Sequence, residues 1–291
     1  MINMLIGLFP ALMWGILPLL LKKLGGRPIQ QMIGTTLGAL IVAFICSWFN
    51  FHEVHYNGIN ILLCFISGMF WSVGQLNQYR AIELIGVSQT MPIATGLLLI
   101  SNSLFGVVVF GDWATWYQKL LGFSAIVLII FGTFLTSYQS KNRSSKEIRQ
   151  LKHSIVILLF STLGYIGYAT LPNFTDSNGW SAFLPQVSGM VLGTLVQAIF
   201  VNKRQTIFGN ESWRNLVCGF IFAIGALGYL ISLKINGVAV GYTLSQMGVI
   251  ISTIGGILFL KEFKTDNELK LTVIGLLLMS IAAIMVGLTK N

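Results

Sequence analysis

Residues 138–153, YQSKNRSSKEIRQLKH, are the only long polar stretch in a chain of 291 residues, and they stand almost at its midpoint. Lys141, Arg143, Lys146, Arg149 and Lys152 load it with positive charge. The sequence on either side is unlike that of a water-soluble domain. Hydrophobic residues make up 55% of the chain and charged residues only 9%, whereas soluble domains carry about 25% charged residues. So few charges cannot cover a water-facing surface, which excludes a soluble enzyme. Disorder is excluded as well, because disordered chains are polar and charge-rich. The chain reads as an all-α polytopic membrane protein, and the polar stretch reads as a solvated linker between two halves.

Crossing the hydrocarbon layer takes roughly 20 apolar residues in a helix. Before the linker, such runs occupy 3–21, 31–50, 58–79, 86–109 and 117–137; after it, 154–172, 180–201, 214–233, 237–260 and 270–288. The first run carries Pro10 and Pro18, with neither a basic leader nor a small-residue cleavage site, so it reads as a span and not a secretory signal. Ten spans are expected. Fifteen of the 18 Lys and Arg fall in the loops on the linker's side, and Lys119, Lys234 and Lys290 fall on the other. By the positive-inside rule the linker is cytoplasmic and both termini lie outside a bacterial cell membrane. The same placement assigns the formal charge of +9 to topology and anionic lipid, not to nucleic acid.

The halves repeat. Gln31-x-x-Gly34-x-x-x-Gly38 in the second span matches Gln186-x-x-Gly189-x-x-x-Gly193 in the seventh. Gly74 pairs with Gly225, Gly86-Val87 with Gly237-Val238, and Thr95 with Gln246, each at a shift of 151 residues. Five spans are an odd number, so the second copy must enter the membrane upside down. The expected architecture is therefore an inverted 5+5 repeat: 1–140 the first repeat, 141–153 the linker, 154–291 the second. Transporters of this kind hold their substrate near the midplane, between the halves.

Polar side chains are costly in a bilayer and usually face a bundle interior or a cavity, so their chemistry describes the ligand. Trp71, Gln75 and Gln78 share one face of the third span, flanked by Asn77. The fourth span offers Thr95 and Asn102, the ninth Tyr242 and Gln246, and the first Trp14; Tyr165 and Tyr168 in the sixth lie within reach of the same space. Amides pair with neighbouring hydroxyls as donor and acceptor together, and an aromatic ring covers the apolar face of a sugar. These nine residues, Trp14, Trp71, Gln75, Asn77, Gln78, Thr95, Asn102, Tyr242 and Gln246, are the expected substrate site, with Trp71 as the stacking platform. Every carboxylate lies in a loop or at a span end, and no Lys or Arg is mid-span. That disfavours lipophilic cations and phosphate esters and leaves a neutral solute. Trp113, Trp116 and Tyr117 read as an interfacial belt. Cys46, Cys64 and Cys218 sit in apolar runs without metal-ligand or disulfide spacing. No catalytic motif, metal site or cofactor is indicated.

Several stretches together carry a resemblance: Pro10-Ala11-x-x-Trp14-Gly15, Gly25-Gly26-x-Pro28-x-x-Gln31, Gly74-Gln75-x-Asn77-Gln78, Thr90-Met91-Pro92-Ile93, Leu184-Pro185-Gln186 and Leu244-Ser245-Gln246-Met247. They resemble the bacterial glucose/ribose porter family of the drug/metabolite transporter superfamily, nearly end to end and more its glucose than its ribose members. The resemblance implies a ten-helix carrier that imports a monosaccharide with protons. A symporter needs a group whose protonation changes with conformation, and Glu83, Asp112 and Glu262 at span ends are the candidates. A ribose importer of the same family and a small-metabolite exporter of the superfamily are the alternatives.

Overall fold

The computed structural model describes residues 2–50, 52, 54, 57–111, 113–138, 144–175, 178–200 and 207–289. Among these there is no strand. The helices are α1 (Ile2–Leu24), α2 (Pro28–Phe49), α3 (Gly58–Ile85), α4 (Val87–Phe110), α5 (Trp116–Ser137), α6 (Ser145–Thr170), α7 (Gly179–Ile199), the short α8 (Asn210–Arg214), α9 (Leu216–Gln246), α10 (Gly248–Phe259) and α11 (Asp266–Leu288). Nine helices among the described residues are long and apolar enough to span a membrane, and Leu244–Phe259 is a shorter apolar helix. Phe44, Phe134, Leu163 and Phe259 are among many large apolar side chains on the outer surface, an exposure that only lipid tolerates.

Helix starts follow local chemistry. Thr115 with Gln118, Ser144 with Glu147, and Thr265 with Glu268 form capping boxes, and Pro28 opens α2. The Ser144 box starts α6 nine residues ahead of the apolar run at 154, so the end of the expected linker is the first part of a helix. A single residue, Gly86 at φ 80°, joins α3 to α4. A side chain there is barred by this left-handed backbone and by the Glu262 carboxylate, whose Oε1 lies 2.6 Å from where a Cβ would stand.

The ninth span differs from expectation. Helical hydrogen bonding runs through the boundary expected at 234–236, and the break comes at Met247, between α9 and α10. The helix axis does not run on with that bonding: the chain reverses between Asn236 and Leu244, close to the expected boundary. Along α1, Asn3, Phe9 and Trp14 meet Asn236, Gly228 and Phe222 in that order, which is antiparallel; Gly7, Ala11 and Leu19 then meet Leu244, Gly248 and Gly255, which is parallel.

The small-residue pairs seat helices on one another. Gly34 and Gly38 of α2 press on the backbone of Ser212, Asn215, Leu216 and Gly219, and Gly189 and Gly193 of α7 press on Phe65 and Met69 of α3. α1 packs on α9 and α10, α6 on α3 and α4, and α5 on α11. Trp116 and Tyr117 are exposed, as a belt requires, but Trp113 is buried and its indole N–H donates to Thr289 Oγ1 at 2.8 Å. The packing of α5 against α11 takes that ring inside.

Candidate functional site

A cavity of about 570 Å³ lies between α1, α3, α4, α6, α7, α9 and α10, within the range of about 300–1,000 Å³ usual for small-molecule sites. On α3, Trp71, Gln75 and Gln78 face it at helical spacing, as expected. Thr95 and Asn102 of α4, Tyr242 and Gln246 of α9, and Trp14 of α1 line it too. Asn77 does not. It stands about 200° round the helix from Gln75, bonds back to the Val73 carbonyl at 3.0 Å and accepts from Arg80 at 3.2 Å. Its polar groups serve its own helix surface.

Two walls of the cavity differ in chemistry. On one, Tyr165 Oη lies 2.6 Å from Oε1 of Gln75 and 2.5 Å from Oε1 of Gln78, while the Gln78 NH2 is turned to Met91 Sδ at 3.4 Å. A phenol has one proton, so the hydroxyl shares it between the two amide oxygens it faces. The opposite wall is aromatic. Trp14 lies 6.5 Å from Phe222 at 25° and 5.6 Å from Tyr229, and its indole N–H donates to the Phe222 carbonyl at 3.3 Å. Trp71 packs 4.7 Å from Phe222 and is only 3% exposed, so it lends the cavity little of its ring. Trp14 is the more open indole. Asn102 donates to Tyr242 Oη at 3.3 Å, and Gln246 to Ser245 Oγ at 3.3 Å.

Among the described residues, no Asp, Glu, Lys or Arg side chain lines this cavity. It reaches the α6–α7 connection through Pro172, exposed Asn173 and Gly179; toward the other face it ends on Leu17, Leu21 and Ile82, all buried. Beyond that floor the helix ends are tied together. The Glu262 carboxylate accepts the Val87 and Ser88 N–H groups at 2.7 Å each, where the N-terminus of a helix favours an anion. Asn215 donates to the Gly25 carbonyl at 3.0 Å, and Lys22 to the Ile82 carbonyl at 3.5 Å. Glu83 is exposed on the last turn of α3, and Asp112 lies outside the described residues. Neither Glu83 nor Glu262 lines the cavity.

Sequence reasoning passed over Tyr79, Gln186, Phe222, Tyr229 and Asn173, which also line it. The shift of 151 residues was a usable signal for two of them, since it carries Trp71 onto Phe222 and Gln78 onto Tyr229. Gln186 was visible in the packing motif and in the Leu184-Pro185-Gln186 stretch but not as a cavity residue, and Asn173, in the short 3-10 turn Leu171–Phe174, had no pattern to mark it.

A family model described as sugar transport protein matches residues 5–289. A putative sugar uptake protein of Listeria monocytogenes is 47% identical over 99% of this chain and 100% of its own length. The glucose uptake protein GlcU of Bacillus subtilis is 44% identical over 99% of both chains, and a putative ribose uptake protein, RbsU, of Latilactobacillus sakei is 40% identical over 99% of both. One solved crystal structure superposes with a TM-score of 0.62 over 95% of both chains at 14% identity, a likeness of fold.

Proposed function

Because the chain belongs to the family of sugar transport proteins, a family of transporters and not of enzymes, we propose that it imports glucose by alternating access with proton symport. The observation that carries this is a cavity with no formal charge among its described lining residues, walled by amides and aromatic rings and reaching the α6–α7 connection at Asn173. A pyranose presents hydroxyls at its edge and C–H groups on its face. Gln75, Gln78 and Gln246 supply paired donors and acceptors for the edge, with Thr95, Asn102 and Tyr242 completing that lining. Trp14, with Trp71 and Phe222 behind it, covers the face.

Alternating access is supported by the arrangement of the helices. Exchanging the halves 1–140 and 154–291 turns the packing of α1 on α9 into that of α6 on α3, and α1 on α10 into α6 on α4; α2 with α7, α4 with α10, and α5 with α11 map onto themselves. This exchange symmetry supports the reading of two inverted copies meeting round a shared cavity. The protein is a multi-pass membrane protein. With the basic loops cytoplasmic, both termini and the cavity mouth at Asn173 face outward from the cell membrane, and the ties at Glu262 close the cytoplasmic side. Protonation of Glu262 removes its negative charge and weakens its hold on the N-terminus of α4, which couples proton entry to opening.

Uptake of radiolabelled glucose and ribose into proteoliposomes tests the reading. Glucose accumulation stimulated by an inward proton gradient is expected. Accumulation of ribose in its place establishes the second reading, which the 40% identity to a putative ribose uptake protein favours. Failure of both sugars to enter in correctly oriented protein overturns sugar import and leaves export of a small metabolite.

A further inference from the structure

The shift of 151 residues that relates the halves carries Trp14 onto Tyr165, Gly225 onto Gly74, Phe222 onto Trp71 and Tyr229 onto Gln78. These are contacting groups in space. The indole of Trp14 covers Gly225 and lies against Phe222 and Tyr229. The ring of Tyr165 covers Gly74, 3.1 Å from where a Cβ would stand, and its hydroxyl reaches Gln75 and Gln78. One frame has been filled twice, once with rings alone and once with a phenol bonded to two amides.

An amide in a cavity presents either its oxygen or its NH2, and the two choices read opposite partners. Here a single hydroxyl proton is shared between two amide oxygens, so both amides are held with Oε1 toward the phenol and NH2 turned away from it. The Gln78 NH2 goes to Met91 Sδ at 3.4 Å, so its orientation is held from both ends. We propose that Tyr165 is the positioning residue of the sugar site, setting the orientation of Gln75 and Gln78 so that they discriminate among sugar hydroxyls, while the Trp14 wall supplies binding without such discrimination. The inference rests on the sugar-import reading. Pre-orientation carries the selectivity because a buried amide held in place and then denied its hydroxyl is left unpaired, whereas a free amide turns to find another partner.

The test is Tyr165→Phe, which keeps the ring on Gly74 and removes only the hydroxyl. Transport of glucose and its monodeoxy analogues is measured in proteoliposomes, with the melting temperature as a control for folding. In the unaltered protein at least one deoxy analogue is expected to be transported about tenfold less efficiently than glucose. In Tyr165→Phe the KM for glucose should rise about tenfold, with a smaller change in kcat, and the gap between glucose and that analogue should close. A purely structural lesion would weaken all the sugars alike. The same substitution placed in a Gln75→Ala, Gln78→Ala background should add nothing further to KM; a full additional effect there overturns the proposal, since Tyr165 would then act other than through the amides. Unchanged selectivity in folded Tyr165→Phe also overturns it, with sugar import intact. An unaltered protein that binds and moves no monosaccharide overturns sugar import itself, and the proposal with it.

Discussion

Gln75 and Asn77 are two residues apart on α3, both amides in one short motif, and they face opposite ways. Periodicity placed Trp71, Gln75 and Gln78 on one face, and all three line the cavity. Asn77 entered the expected site as a flank of that stripe, and its azimuth excludes it. The contrast is testable at the level of single side chains. Gln75→Ala removes one of the amides held by Tyr165 and should cut glucose uptake at least tenfold, since losing a hydrogen bond to a desolvated hydroxyl costs about 1–3 kcal/mol. Asn77→Ala should leave uptake within about twofold, because its bonds run to Val73 and Arg80 on its own helix. Uptake by both variants, with their amounts in the membrane measured by blotting, decides between them. Trp71 was legible as a site residue but not in its role: only its neighbour Phe222, more than a hundred positions along the chain, shows that the ring is packed against another instead of open to a sugar.

At the scale of helices, the glycine motifs carried more information than their composition alone. Gly34 and Gly38, and Gly189 and Gly193, read as small faces for close packing, and each pair presses on a backbone. A side chain at Gly189 would overlap the Phe65 carbonyl, so Gly189→Leu should destabilise by about 1–3 kcal/mol or more, seen as a lowered melting temperature in detergent. Gly58→Ala is the matched control, because nothing lies within 4 Å of the added Cβ; its melting temperature should stay within a degree or two of the parent. Helix limits were less legible. Hydropathy locates only the part of a helix that sits in lipid, so it missed the first turns of α6, which a Ser144–Glu147 capping box begins in water. The boundary that the same measure set at 234–236 lies beside the reversal of the chain between Asn236 and Leu244, as the opposite directions of its contacts with α1 reveal.

Over the whole molecule, Glu262 joins parts that no local pattern relates: the connection before α11 and the first N–H groups of α4, 175 and 174 residues away. Glu262→Gln keeps the side chain's length and one carbonyl acceptor but loses the charge that favours a helix N-terminus. Stimulation of uptake by a proton gradient should be abolished in that variant, whereas sugar-for-sugar exchange down no gradient should persist; retention of full stimulation would assign proton coupling to another group. Membrane residence, the number of apolar runs, the linker, the repeat motifs and the neutral character of the buried polar groups were all determined by the amino-acid order alone. Each is a property of residues near one another in the chain, and the bilayer reads it by length and polarity. The tertiary structure alone decided which of those polar groups share a cavity, that α7 contributes to it, that one wall is set by Tyr165 and the other by Trp14, and that one end is closed. Those outcomes depend on helix rotation and on competition among partners from distant helices, and a hydrogen bond or a ring contact across halves has no counterpart in sequence spacing.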